Sequence, residues 1–193
     1  MIKSWLININ LDNKVILELG SGYGFLLRCI SGNLKSDSIY IAIDNNINRY
    51  LFLKDVIKNS NISKNVVFIC TDFESIPLKS ESVDILLDCT GSTNYWFDKD
   101  KFTLDFIDGL MKRESYLASA YILFKKFDIN GFISLEQRKY FSINYIKEQL
   151  DKSKFRIIEE YESLSLTKSG LYEDYFTKNE EVFSYLVLGK RWG

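Results

Sequence analysis

The sequence predicts an α/β protein: a doubly wound, seven-stranded, mostly parallel sheet with a C-terminal antiparallel hairpin and helices on both faces. Three observations carry that expectation. Short β-branched apolar runs alternate with longer stretches of helical spacing, the pattern of successive βα units. A glycine-rich turn, Gly20 to Gly24, joins the first such run to the first such stretch. The last two apolar runs follow each other with no helical stretch between them, as antiparallel neighbours do.

Taken in order, the strand candidates are Lys14–Leu19, Ser38–Ile43, Asn65–Cys70, Val83–Leu87 and Ser115–Phe124. Several are apolar almost throughout, as parallel strands covered on both faces should be. Helices are expected at Gly24–Ser31, Asn48–Asn59 and Lys99–Lys112, and right-handed crossovers place them on both sides of the sheet. Beyond Phe127 a helix is expected over Ser142–Lys152, where Ile143, Ile146 and Leu150 share a face and Ser142 serves as N-cap. Phe155–Leu166 and Val182–Lys190 then supply the hairpin. No linker or repeat interrupts the chain, so it reads as one domain: a short lead-in over residues 1–13, a ligand-binding half over 14–127 and an acceptor-side helix and hairpin over 128–193.

With 193 residues, 46% of them hydrophobic and 15% aromatic, the chain can bury a continuous core, which excludes disordered and fibrous classes. Its 25 basic and 26 acidic side chains nearly cancel and give no electrostatic footprint for nucleic acid or an anionic membrane. Lys64, Lys79, Lys112, Arg113, Lys125 and Lys126 are dispersed and read as solvated charge. There is no histidine, so Ser-His and Cys-His mechanisms and His-ligated metals are excluded, and no metal site is expected. Cys29, Cys70 and Cys89 are widely spaced and odd in number, which fits free thiols in a reducing compartment such as the cytoplasm. The longest apolar run, at Tyr116 to Phe124, falls well short of the roughly 20 residues of a membrane span.

The most informative stretch is VILELGSGYGF. Glycines after an apolar strand let the backbone turn tightly and let a ligand approach without meeting a Cβ, while the following helix start presents free N–H groups. A dinucleotide fingerprint would place its third glycine three residues after the second; here Gly24 follows Gly22 by two, and Phe25 occupies a position that motif wants small. The second strand ends in Asp44, followed by Asn45, where a carboxylate suits a ribose diol; its plainer reading is an exposed Asp opening the next helix.

These residues resemble class I S-adenosylmethionine-dependent methyltransferases. The resemblance rests on Glu18, Gly20, Ser21, Gly22 and Gly24, on Asp44 after IYIAI, and on the pairs Thr71-Asp72 and Val83-Asp84. CTDFESIPLKSESVDILL is similar to that family's third-to-fourth strand segment, and Lys154-Phe155 and SYLVLGKR to its last helix and hairpin, so the likeness spans nearly the whole chain. It implies S-adenosylmethionine as cofactor, with the glycine turn against its methionine part, Asp44 and Asn45 at the ribose, and Asp72 with Phe73 at the adenine. Two departures stand out. The Pro-Gly-Gly-like turn before the fifth strand is replaced by LMKRESYLAS, and only about a dozen residues precede Lys14 where relatives carry helices that cover the acceptor. An open site, a lid from elsewhere, a homo-oligomer or a fused N-terminal domain would each answer the second.

Open α/β sheets bind ligands beyond the carboxyl ends of their strands, at the switch point between first and fourth, so DCTGSTNYWF should face the methyl donor. Asp88, Thr90, Ser92, Asn94, Tyr95 and Trp96 are candidates for acceptor contacts, with Asp88 or Tyr95 as the base if one is used. Asp88 reads equally as a turn residue bonding loop N–H groups. Tyr95, Trp96 and Phe97 are either a lid over the glycine turn or anchors for helix packing, and Tyr121, Tyr140 and Tyr172 either line a pocket or pack. With no NPPY-like or Pro-Cys motif and no basic stripe, a small-molecule acceptor methylated on O or N is expected, with a catalytically silent cofactor-binding sensor or scaffold as the alternative.

Overall fold

The computed structural model describes residues 1–58, 65–91, 102, 104–164, 177 and 179–192. Seven strands form one sheet: β1 (Val15–Leu19), β2 (Ile39–Asp44), β3 (Val66–Cys70), β4 (Val83–Cys89), β5 (Met111–Lys126), β6 (Phe155–Glu162) and β7 (Glu181–Arg191). Their spatial order is β3-β2-β1-β4-β5-β7-β6. The first five run parallel to one another, and β7 runs antiparallel between β5 and β6. Among the described residues the helices are α1 (Ile2–Asn8), α2 (Phe25–Ile30), α3 (Ile47–Lys58), α4 (Leu104–Ile107) and α5 (Ile143–Lys152). The expected doubly wound sheet with its C-terminal hairpin is therefore the fold.

Period-two alternation along the strands divides the core into two layers. One face of the sheet carries Leu17, Leu19, Ile41, Ile43 and Leu86 against Phe102, Ile146 and Leu150. The other carries Ile16, Tyr40, Ala42, Ile85 and Leu87 against α1 and α2. α5 forms where the spacing placed it, with Ile146 and Leu150 buried and the Ser142 hydroxyl accepting the Tyr145 N–H at 3.2 Å.

The structure departs from the sequence reading in three places. The lead-in contains a helix, α1, whose Ile2, Trp5 and Leu6 are buried in the second layer; Trp5 Nε1 donates to Glu159 at 2.6 Å. It is thus part of the core and does not cover the strand ends. The helix expected at Lys99–Lys112 is, among the described residues, the single turn of α4 and a 3-10 turn over Asp108–Leu110. Gly109 ends the helical run, and Met111, 1% exposed, already pairs with Val83.

The third departure is β5 itself, which starts four residues before the expected Ser115. Val83 pairs with Met111 but Ile85 with Tyr116, so β5 carries a wide bulge here with Glu114 at φ 61°. Its charges found partners that composition could not reveal: Lys112 Nζ lies 2.7 Å from Asp84, and Lys190 Nζ lies 2.6 Å from Glu114. This bulge occupies the place where relatives were expected to carry a glycine turn.

Candidate functional site

The site is built where the chain leaves β1. Gly20, Gly22 and Gly24 all have left-handed φ, at 60°, 53° and 70°. That alternation folds the backbone back on itself and delivers it to α2, with the Gly24 N–H bonded to the Ser21 carbonyl at 2.8 Å. The turn is tied sideways to β2 twice, by Ser21 N–H to the Ile43 carbonyl (2.8 Å) and by Gly22 N–H to Asp44 Oδ2 (2.9 Å).

Each glycine is required differently. A Cβ on Gly24 would lie 2.1 Å from Leu53 Cδ2, so α3 packs against bare backbone there. A Cβ on Gly20 would lie 2.5 Å from the Cα of Gly91, and one on Gly91 would lie 2.3 Å from the Leu19 carbonyl oxygen. The turns after β1 and β4 therefore touch backbone to backbone across the switch point. Gly22 differs from both: a Cβ there meets nothing nearer than the Gly20 oxygen at 3.9 Å, and faces open space.

Three carboxylates surround this turn at the ends of three adjacent strands. Asp44, 5% exposed, accepts Gly22 N–H and Asn46 N–H and lies 3.6 Å from the Arg49 guanidinium. Asp88, 2% exposed, pairs in register with Leu19 of β1 and Ser119 of β5. Glu18 is buried beneath the turn and accepts the hydroxyl of fully buried Tyr40 at 2.6 Å. Burial lifts the Glu18 carboxyl from 4.5 to about 8; the Tyr40 hydrogen bond opposes this, and the negative charges of Asp44 and Asp88 add to it.

The remaining sequence-selected residues distribute as follows. Thr71 N–H bonds the Asp44 carbonyl at 3.1 Å, which brings Asp72 to the end of β2. Asp72 caps a 3-10 turn by accepting Glu74 N–H, and Phe73 directs its ring into the core. Asn45 is exposed beside Asp44, and Ser21 Oγ is buried with no hydrogen-bond partner among the described residues. Ser92, Asn94, Tyr95, Trp96, Phe97 and Tyr172 lie outside the described residues. Tyr121 is buried and stacks with Phe102, and Tyr140 packs edge-on against Tyr145, so both rings serve the core.

Sequence reasoning missed Gly91 and Tyr23, and it selected Thr90 for acceptor contact without seeing its role in the turn. Thr90 holds φ 66° as β4 ends, and its N–H bonds the Ala120 carbonyl at 3.1 Å, aiming Gly91 at the glycine turn. The dipeptide Thr90-Gly91 was visible as a turn signal; the contact with Gly20 was not, because it joins segments remote in sequence. Tyr23, 59% exposed, meets Phe52 edge-on at 5.2 Å with Arg49 5.9 Å from its ring centre, forming an aromatic rim beside Asp44.

A ligand suited to these groups has positive charge for the buried carboxylates, hydroxyls for Asp44 to accept, and a polar group for Ser21 Oγ. It must also pass close over Gly22. S-adenosylmethionine, with its sulfonium, ammonium and ribose diol, fits that donor set. No curated protein sequence matches the chain. Among solved structures, the chain is similar to a SAM-dependent methyltransferase of Aquifex aeolicus (17% identity, TM-score 0.63, 97% of this chain and 88% of that one). It is also similar to one from Methanosarcina mazei (14%, 0.68, 95% and 94%) and to the cyclase SpnF (13%, 0.69, 100% and 80%). A family model described as a methyltransferase domain matches residues 10–161. The glycine turn, its acids and the seven-stranded sheet thus sit in a chain that belongs to the methyltransferase domain family, with S-adenosylmethionine as its cofactor.

Proposed function

We propose that this chain is an active S-adenosylmethionine-dependent methyltransferase acting on O or N of a small-molecule acceptor, as a single domain with its cofactor-binding half over 14–127 and its acceptor side over 128–193. The observation that carries the reading is the open space over Gly22 between Asp44 and Asp88, in a turn whose other two glycines are closed off by protein. Asp44 and Asn45 hold the ribose, Asp72 and the Phe73 backbone meet the adenine edge, and Glu18, Gly20, Ser21, Gly22 and Gly24 shape the methionine end. The cofactor's sulfonium supplies the activated methyl, so the protein's task is to hold the acceptor atom in line with it at about 3 Å. If the acceptor must lose a proton, Asp88 at the switch point is the candidate base, with Tyr95 as the alternative.

Small acceptors are favoured because the charges balance overall and the sequence carries no basic stripe for nucleic acid. No helix among the described residues is long and apolar enough to cross a membrane, and the three cysteines are free, which supports a cytoplasmic reading. The test is release of S-adenosylhomocysteine across a panel of amines, phenols and carboxylates. Turnover with any of them supports the proposal. The second reading is a silent cofactor-binding module; the same fold in SpnF serves a cyclase, so the fold alone does not dictate methyl transfer. Tight cofactor binding without turnover on the whole panel would select the silent module.

A further inference from the structure

Tyr40 is fully buried in an apolar layer, where Ile16, Ala42, Ile85 and Leu87 share its face of the sheet. Packing alone would be met there by phenylalanine, which fills the same volume without burying a hydroxyl. An unpaired hydroxyl at that depth would be destabilising. The hydroxyl is paired by Glu18, whose Oε2 accepts it at 2.6 Å. Tyr40 stands opposite Ile16 and Glu18 opposite Ala42, so the two are diagonal neighbours on adjacent strands. The phenol thus approaches Glu18 from the side away from the glycine turn.

Burial also fixes which of the two groups donates. Burial, and then the Glu18 charge, hold the Tyr40 hydroxyl well above its ordinary range, so it keeps its proton. Glu18, lifted to about 8 chiefly by burial, carries a proton near neutrality. That proton sits on Oε1, since an Oε2–H would leave the phenol hydrogen without its acceptor. Facing the carboxyl are Tyr40 and Asp44 from β2 and Asp88 and Cys89 from β4, with Cys29 of α2 beyond Cys89. None of these is a cation, and Arg49 is paired with Asp44. Among the described residues Glu18 therefore lacks a counterion, and a ligand's ammonium can supply one.

We propose that Tyr40 is a positioning residue for the methionine end of the cofactor: it holds Glu18 by Oε2 so that Oε1 meets the cofactor's ammonium. The inference rests on the reading that Glu18 and the glycine turn shape the methionine end. As the ammonium arrives, the Oε1–H bond breaks, the proton passes to solvent, and the carboxylate accepts an ammonium N–H. The Tyr40 hydrogen bond stabilises that carboxylate against the effect of burial. Without it the carboxyl loses its anchor and keeps its proton to higher pH, so the ligand must displace a proton that is held more tightly.

The test is calorimetric titration of the full chain from about pH 6 to about pH 8.5 with two ligands. S-adenosylhomocysteine carries the amino-acid end; methylthioadenosine lacks it. S-adenosylhomocysteine should bind more tightly as pH rises through the Glu18 range, and methylthioadenosine equally at every pH. Tyr40→Phe should weaken S-adenosylhomocysteine at least about tenfold near neutrality and move its profile up by about one pH unit, with methylthioadenosine unchanged. A ring-fluorinated tyrosine at position 40, whose hydroxyl is the stronger donor, should move the profile down instead. Glu18→Gln should flatten the profile, and Tyr40→Phe added to it should leave it flat. A hydroxyl with only a structural role would weaken both ligands alike, and that outcome overturns the proposal. A pH-dependent wild type with an unshifted Tyr40→Phe profile overturns this inference alone. S-adenosylhomocysteine bound by wild type no better than methylthioadenosine overturns the reading of the methionine end and this inference with it.

Discussion

The glycine turn after β1 and the loop after β5 lie at the same end of the sheet, and both are held rigidly, but by opposite means. The turn is fixed by backbone: three left-handed glycines, an approach of Gly20 to Gly91 too close for any side chain, and two N–H groups bonded to β2. The loop is fixed by side chains, chiefly Asp128 and Glu180, whose partners Thr177, Asn179 and Asp128 come from either side of the acceptor half. Their acids differ in the same sense. Glu18 under the turn is buried among negative neighbours and held above the ordinary carboxyl range, whereas Asp128 is surrounded by donors and held below it. The acid at the ligand site keeps its proton until a bound cation draws it off; the acid of the structural tie is held ionised by its hydrogen bonds.

The largest test of this contrast is pH. Glu18 titrates higher folded than unfolded, so its stabilising contribution is complete below about 4.5 and is lost as pH rises through about 8. Within that window wild type should lose up to about 1.4 kcal/mol per pH unit relative to Glu18→Gln, whose amide keeps an acceptor for the Tyr40 hydroxyl. Urea unfolding of both proteins across the range measures it, and parallel curves would mean that Glu18 is solvated. Bound cation should draw the proton off, so calorimetric titration with S-adenosylmethionine near neutral pH should show proton release in wild type and none in Glu18→Gln.

Next in size is Gly20→Ala, which sets a Cβ against the Gly91 backbone at a left-handed position and should cost about 3 kcal/mol or more of unfolding free energy. A loss under about 1 kcal/mol would show that the two turns separate easily. Gly22→Ala sharpens the comparison. The protein has room for that methyl, so stability should fall by only about 1 kcal/mol, while cofactor affinity falls about a hundredfold, close to 2.7 kcal/mol. Unchanged affinity would mean that the ligand passes elsewhere.

The smallest effect is expected at the other region. Asp128→Ala should leave cofactor binding unchanged and loosen the loop, read as faster proteolysis after the lysines at 125 and 126. Wild-type loop stability should be present above the ordinary aspartate range and fall as pH drops through the depressed Asp128 value, the reverse of Glu18. Protection that is independent of acid would mean that the Asp128 carboxylate does not hold the loop.

The same contrast explains what the sequence disclosed. Gly20, Gly22 and Gly24 were legible because a steric demand on the backbone leaves glycine behind at fixed spacing, and the apolar strands were legible because double-sided burial leaves continuous β-branched runs. Helix α5 could be read from Ser142, Ile146 and Leu150, a cap and a face within one segment. Gly91 could not be assigned, since its partner lies in another turn, and the bulge at Lys112–Ser115 hid because its charges are satisfied by Asp84 and Lys190 across strands. Helix α1 was missed because its face is only Ile2, Trp5 and Leu6, too short to register as a period. Of the Asp128 network only the turn to Asn130 is local, and its side-chain donors come from residues 177 and 179, far along the sequence.

The contact between Gly20 and Gly91 also sets an order of events during synthesis. The ribosome completes the entire Glu18–Gly24 motif and the acid at Asp44 long before Gly91 emerges, yet β1 is completed as a central strand only when β4 pairs beside it. A nascent chain halted short of Gly91 would carry every residue by which the motif is recognised and would have no finished floor for the cofactor. Cofactor cannot therefore chaperone the first βαβ unit, and a truncation ending before residue 91 should be a substrate for proteases whether or not S-adenosylmethionine is abundant.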